Sequence, residues 1–162
     1  MDTQAKSFKI GTVVMHIMAV YALVVGLLWI FITEIVFVSD FAFYTGQTYA
    51  DYLLTDPQYA KIYIIAKKLI GIQIVSTSIL MMYVAQRCYK KGQKWSWYAL
   101  LFAGIITWGS LLGYKVVIGY FKLSSSSLTF IVGAVLLAIG LALPAKAILG
   151  QKSKSGLIGR SE

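Results

Sequence analysis

Acidic residues are scarce in this sequence: six Asp and Glu stand against 15 Lys and Arg, and histidine and cysteine occur once each. A lone cysteine, Cys88, forms no internal disulfide and cannot seed a cysteine-based metal site. A lone histidine, His16, excludes a haem held by two histidines, or a His-rich metal centre, within one chain. Paired carboxylates inside an apolar segment, a Cys-x-x-Cys pair, a histidine cluster and a Gly-rich phosphate loop are all missing, which disfavours an enzyme. The sequence requires no metal and no other cofactor.

What is present is apolar. Hydrophobic residues make up 59% of the chain and charged ones 13%, far from the one-quarter charged balance of a soluble domain. They gather in long blocks, each sufficient to cross a bilayer at about 20 residues per crossing. The spacing predicts spans over Ile10–Val38, Ile62–Gln86, Trp95–Tyr120 and Leu128–Leu149. The first block follows Lys6 and Lys9 as a secretory signal would, but it is too long and no small-x-small cleavage site follows it. The fold expected is all-α: an integral membrane four-helix bundle, up-down-up-down, forming one transmembrane domain over residues 1–162.

The net charge of +9 is a topology signal here. The basic residues flank the apolar blocks, and no separate basic domain exists to hold nucleic acid. Ten of them fall in the N-terminal tail, the Arg87–Lys94 hinge and the cytoplasmic tail from residue 150 with its approach at Lys146. Five fall on the other side, together with Glu34, Asp40, Asp51 and Asp56. Positive charge stays inside, so both termini are expected in the cytoplasm of a multi-pass cell-membrane protein. Trp95, Trp97 and Tyr98 stand where interfacial anchors belong, with Tyr114 and Tyr120 at the far end of the same span.

Helix contacts in lipid come from shape. Gly109 and Gly113 form a Gly-x-x-x-Gly pair, and Ala134, Ala138 and Ala142 form a small stripe; these faces are expected to approach closely, within the bundle or against a partner chain.

Ionisable residues inside spans are functional candidates. At ~1.5 Å per residue, Glu34 lies about 36 Å beyond Ile10, Lys68 about 28 Å from Arg87 and Lys115 about 30 Å from Trp95. All three reach the outer interface, where Lys67, Lys68 and Lys115 are expected to snorkel, or where Glu34 pairs with Lys68 or Lys115 to close the outer end. His16 is deeper. It either bonds a neighbouring helix, with Ser76, Thr77 and Ser78 as candidates, or ligates a metal, haem or pigment shared with another subunit. Gln73, Thr107 and Trp108 complete a candidate cavity lining with His16.

The long outer loop, 39–61, is rich in aromatics and acids. Thr48 to Leu54 is expected to form a short interfacial helix capped by Thr48, and Asp56-Pro57 to start the next span. The run Thr45-Gly46, Tyr49 to Leu53, Asp56-Pro57, Tyr63 and Gly71, then Lys91-Gly92-Gln93-Lys94-Trp95-Ser96-Trp97-Tyr98, resembles a family of small uncharacterised four-helix membrane proteins of archaea and bacteria. The resemblance covers roughly Thr45 to Tyr98 and implies an architecture without an activity.

The function expected is a non-catalytic subunit or scaffold, contacting lipid and either other membrane chains or copies of itself. Two alternatives are a small-molecule binder or carrier with an intramembrane cavity, and the accessory subunit sharing a group through His16.

Overall fold

Each long apolar block is a helix, and specific hydrogen bonds mark the end of the first and the start of the second. The computed structural model describes residues 3–36, 38–117, 119 and 125–150; the tail from 151 lies outside them. Among the described residues every regular element is helical. Four helices are long and apolar enough to cross a membrane: Ala5–Phe31, Pro57–Lys91, Lys94–Val117 and Ser127–Leu149.

Helix α1 (Thr3–Phe31) stops short of the expected Val38. The Thr33 hydroxyl donates to the Trp29 carbonyl, and this competition for a helical acceptor bends the chain. It continues as α2 (Thr33–Val36) and α3 (Val38–Thr45). The segment expected as an outer loop is therefore mostly helical, and α3 turns Asp40 and Phe41 inward, both buried.

Helix α4 (Tyr49–Thr55) starts with a capping box: Thr48 and Asp51 each accept from the other's backbone N–H. Asp56 then caps α5 (Pro57–Arg87) by accepting from the Tyr59 N–H, with Pro57 in the first turn, where its missing N–H costs nothing. After α5 the chain makes one 3-10 turn, Tyr89–Lys91, and reverses at Gly92, whose φ of +72° favours glycine. The third long helix is α6 (Lys94–Gly104), a π-helical turn at Ile105–Gly109, and α7 (Ser110–Val117). Tyr120 lies outside the described residues. Helix α8 (Ser125–Leu149) begins three residues before the expected Leu128.

Helix α1 is central and packs against both α5 and α8. It meets α5 tightly at Gly26 and Gly71: a Cβ on either glycine would stand 3.0 Å from the carbonyl oxygen of the other. On α8, Met15 abuts Gly140, the Trp29 and Phe130 rings lie 5.7 Å apart, and Gly11 faces Pro144. Gly133 on the same helix is covered by the Trp108 ring.

The expected Gly109/Gly113 and Ala138/Ala142 faces do not meet inside the chain. All four residues are exposed, and a Cβ on Gly113 would find nothing within 4 Å. The glycines that bring helices together are paired across helices, not along one.

The outward faces are as apolar as the inward ones. Ile62, Ile65, Leu69 and Ile72 on α5, and Leu128, Val132, Val135 and Ile139 on α8, are all exposed. A helix hydrophobic all round belongs in an apolar surrounding.

Candidate functional site

Among the described residues a buried ion pair joins α3 to α7. Lys115 Nζ on α7 donates to Asp40 Oδ2 on α3 at 2.6 Å, with both side chains 1% exposed. Removing two charges from water is expensive, and only close geometry offsets it. Lys67 on α5 joins them: it is buried, its Nζ stands 4.7 Å from the centre of the Tyr114 ring and 5.3 Å from that of Tyr63, and it feels the charges of both Asp40 and Lys115. Ring faces attract a cation by their quadrupole.

This corrects two expectations. Lys67 and Lys115 do not snorkel outward, and the acid facing Lys115 is Asp40, supplied because the chain folds back after α1. Glu34 is exposed, and Lys68 is half-buried. Glu34 acts instead on Tyr49, whose hydroxyl is held above its ordinary pKa first by burial and then by the Glu34 charge. Around the pair, Asp40 Oδ1 and the Tyr63 hydroxyl are buried with no hydrogen-bond partner among the described residues.

From these charges a crevice of about 400 Å³ runs between α5 and the third helix. Its α5 wall is one helical face, Lys67, Ile70, Ile74 and Thr77, at the three-and-four spacing that aligns side chains. Ile106, Thr107, Ser110, Leu111 and Tyr114 form the opposite wall, while Trp29 and Phe130 close the back.

Backbone contacts explain the opening: α6 lies against α5, whereas α7 packs on α8. The divergence begins at the π turn, two of whose residues, Ile106 and Thr107, face the crevice. Such turns insert a residue into a helix and recur at functional sites.

Beyond the charges lies a second hollow of about 230 Å³, walled by Phe41, Tyr44, Thr45, Tyr59, Tyr63 and Tyr114. Phe41 anchors it, meeting Tyr49, Tyr52 and Tyr63 edge-on at 4.9–5.6 Å. Tyr114 borders both spaces.

Of the residues singled out from sequence as a cavity lining, Gln73 and Thr107 border the crevice. Trp108 points the other way, fully buried against Gly133, 6.1 Å from the Tyr21 ring, and its Nε1 has no partner among the described residues. His16 is apart from both: half-buried, its Nδ1 lies 2.8 Å from the Thr12 carbonyl of its own helix. Ser78 likewise bonds its own helix, at the Val75 carbonyl. Among the described residues no three His, Cys, Asp or Glu side chains gather to hold a metal.

Trp95 and Tyr98 are exposed, Trp95 bonding the Gln93 side chain. Trp97 is half-buried and donates to the Leu141 carbonyl at 3.0 Å, so it binds α6 to α8. Sequence reasoning missed Asp40 and Lys67. The available signal was the helical register 67, 70, 74, 77, which aligns a lysine with an otherwise apolar stripe.

Comparison of the chain with family models, with curated proteins and with solved structures finds no match in any of the three.

Proposed function

We propose that the chain is a non-catalytic, multi-pass cell-membrane protein that binds a small amphipathic molecule in the crevice between its second and third spans. Its four long helices form an up-down-up-down bundle with both termini in the cytoplasm. The antiparallel contacts of α1 with α8, the apolar outer faces, the excess of basic residues on the termini and the Arg87–Lys94 hinge, and the resemblance of the Thr45–Tyr98 region to small four-helix membrane proteins support this arrangement.

The observation that carries the binding reading is a largely apolar crevice of about 400 Å³ ended by buried charges. That volume lies within the roughly 300–1,000 Å³ of small-molecule sites, which combine apolar walls with a few convergent polar groups. Gln73, Thr77, Thr107 and Ser110 supply polar groups along the walls. Protein purified in mild detergent is expected to release an amphiphile on organic extraction, identified by mass spectrometry. Thr77→Phe, which fills the crevice from a half-buried wall position, is expected to lose it. Equal yields from both proteins would end this reading.

One observation favours a second reading, a subunit or homo-oligomer. Gly109 and Gly113 leave an open strip on the outer face of the third helix, a surface suited to a close-packing helix of another chain. Native mass spectrometry tests it: wild-type oligomers that dissociate in Gly113→Leu support a partner on this strip, and a lone wild-type monomer removes it.

A further inference from the structure

The start of α1, the Arg87–Lys94 hinge and the last turns of α8 meet at one end of the bundle. Gly11 on α1 faces Pro144 on α8, the Tyr89 hydroxyl of the hinge donates to the Gly140 carbonyl, Trp97 donates to the Leu141 carbonyl, and α1 touches the 3-10 turn. Lys6 and Lys9 on α1, Arg87, Lys90, Lys91 and Lys94 on the hinge, and Lys146 on α8 are all exposed there. No acid on a described residue stands among them. Glu34, Asp40, Asp51 and Asp56 all lie between the end of α1 and the start of α5, at the opposite end of both helices.

Exposed rings lie next to these cations on the membrane side. Tyr83 sits one turn before Arg87 on α5, and the Arg87 guanidinium stands 6.0 Å from the centre of its ring. Trp95 and Tyr98 follow Lys94 on α6, and all three rings are exposed. One turn further in, the exposed side chains are apolar: Ile79 and Leu80 on α5, Phe102 and Ile105 on α6. The outer surface therefore passes from apolar through aromatic to cationic, the order of acyl chain, glycerol region and phosphate in a lipid leaflet. Amphipathic rings settle at headgroup depth, and that sets the hinge cations level with the phosphates. Basic clusters beside a membrane span recruit acidic lipids, each cation contributing about fivefold in affinity.

We infer that this end of the bundle is a docking surface for acidic phospholipids, whose phosphates gather at the hinge cations while Tyr83, Trp95 and Tyr98 lie against the glycerol region. A zwitterionic lipid also offers a phosphate, but it brings an ammonium that the hinge repels. The surface is separate from the crevice, whose charged end lies by Asp40 at the far end of α5, and it stands without an occupant there.

The test uses the full chain in mild detergent, offered equal amounts of phosphatidylglycerol and phosphatidylcholine of identical acyl chains, with bound lipid read by native mass spectrometry. Wild type is expected to retain the anionic lipid at least about fivefold over the zwitterionic one, the effect of a single engaged cation. Combining Arg87→Gln, Lys90→Gln, Lys91→Gln and Lys94→Gln is expected to remove most of this preference. Arg87→Lys with Lys90→Arg, Lys91→Arg and Lys94→Arg keeps it, as does Lys61→Gln with Lys68→Gln at the other end of α5. A wild-type ratio of one, or a ratio unchanged by the four glutamines, overturns the inference.

Salt separates this surface from a buried site. Raising ammonium acetate from about 0.1 to 1 M shortens the Debye length from ~10 to ~3 Å, so a preference held by exposed cations is expected to fade. A preference untouched by salt would mean that buried groups hold the lipid, and it overturns the docking surface. The extraction experiment with Thr77→Phe bears on the crevice alone, so either reading can fail without the other.

Discussion

The Tyr89 hydroxyl donates to the Gly140 carbonyl at 2.6 Å, in the interior of the protein. Gly140 lies four residues before Pro144 on α8, and proline has no N–H to complete the helical hydrogen bond to that carbonyl. Tyr89, brought in by the 3-10 turn after α5, supplies the missing donor. Tyr89→Phe is therefore expected to cost about 1–3 kcal/mol, the penalty of a buried unsatisfied acceptor. In Pro144→Ala the backbone regains its donor, and Tyr89→Phe on that background is expected to cost much less. Thermal unfolding in detergent of the four proteins of this cycle measures the coupling, and equal costs on both backgrounds would show the hydroxyl to be incidental.

The Asp40–Lys115 pair predicts a different pattern. Asp40→Asn removes the carboxylate that faces both Lys115 and Lys67 and is expected to destabilise by about 3–5 kcal/mol, whereas Lys115→Met is expected to cost less, because Lys67 still faces Asp40. The double variant leaves no uncompensated charge from the pair and is expected to recover most of the loss. Simple addition of the two single effects would argue that the two side chains do not interact.

Gly26 and Gly71 sit where the backbones of α1 and α5 touch. Gly71→Ala places a Cβ 2.9 Å from the Trp29 Cβ and 3.0 Å from the Gly26 oxygen, so the helices must separate. The expected cost is about 1–3 kcal/mol, that of overpacking. Gly113→Ala is the control: its Cβ meets nothing within 4 Å. There the substitution is expected to leave stability unchanged or raise it by up to ~1 kcal/mol, since alanine is the better helix former. A Gly71→Ala protein as stable as Gly113→Ala would contradict this packing.

The long helices were legible because length and hydropathy are local properties, as were the Thr48 and Asp56 caps, which satisfy donors three residues away. The site was not. Asp40 reads as a loop acid until Thr33 bends the chain and α3 turns it inward, and its partner Lys115 is 75 residues distant. Lys67 is one of two adjacent lysines, and only the identity of the helix facing α5 decides which is buried. The packing glycines escaped for the same reason: Gly26 and Gly71 are single glycines on separate helices, while Gly109 and Gly113, conspicuous along one helix, face outward. Gln73 and Thr107 were accessible because a polar residue within an apolar run is visible without a partner. Trp108 was grouped with them by proximity in sequence, although adjacent helical residues point about 100° apart.

The single cysteine offers a direct test of orientation without an engineered tag. Cys88 ends α5 at the basic Arg87–Lys94 hinge and is half-buried. If that hinge is cytoplasmic, a membrane-impermeant maleimide applied to intact cells is expected to leave Cys88 unmodified and to react only once the membrane is permeabilised. Partial burial alone would also slow the reaction, so a second protein carries Cys88→Ser with Lys90→Cys, which moves the thiol to an exposed position on the same hinge. A third, Cys88→Ser with Gln47→Cys, puts it on the opposite end beside the exposed Gly46 turn, where intact cells are expected to be labelled at once. Labelling of Lys90→Cys in intact cells, with Gln47→Cys protected, would invert the topology and set the acidic segment, the aromatic hollow and the Asp40 cluster on the cytoplasmic side.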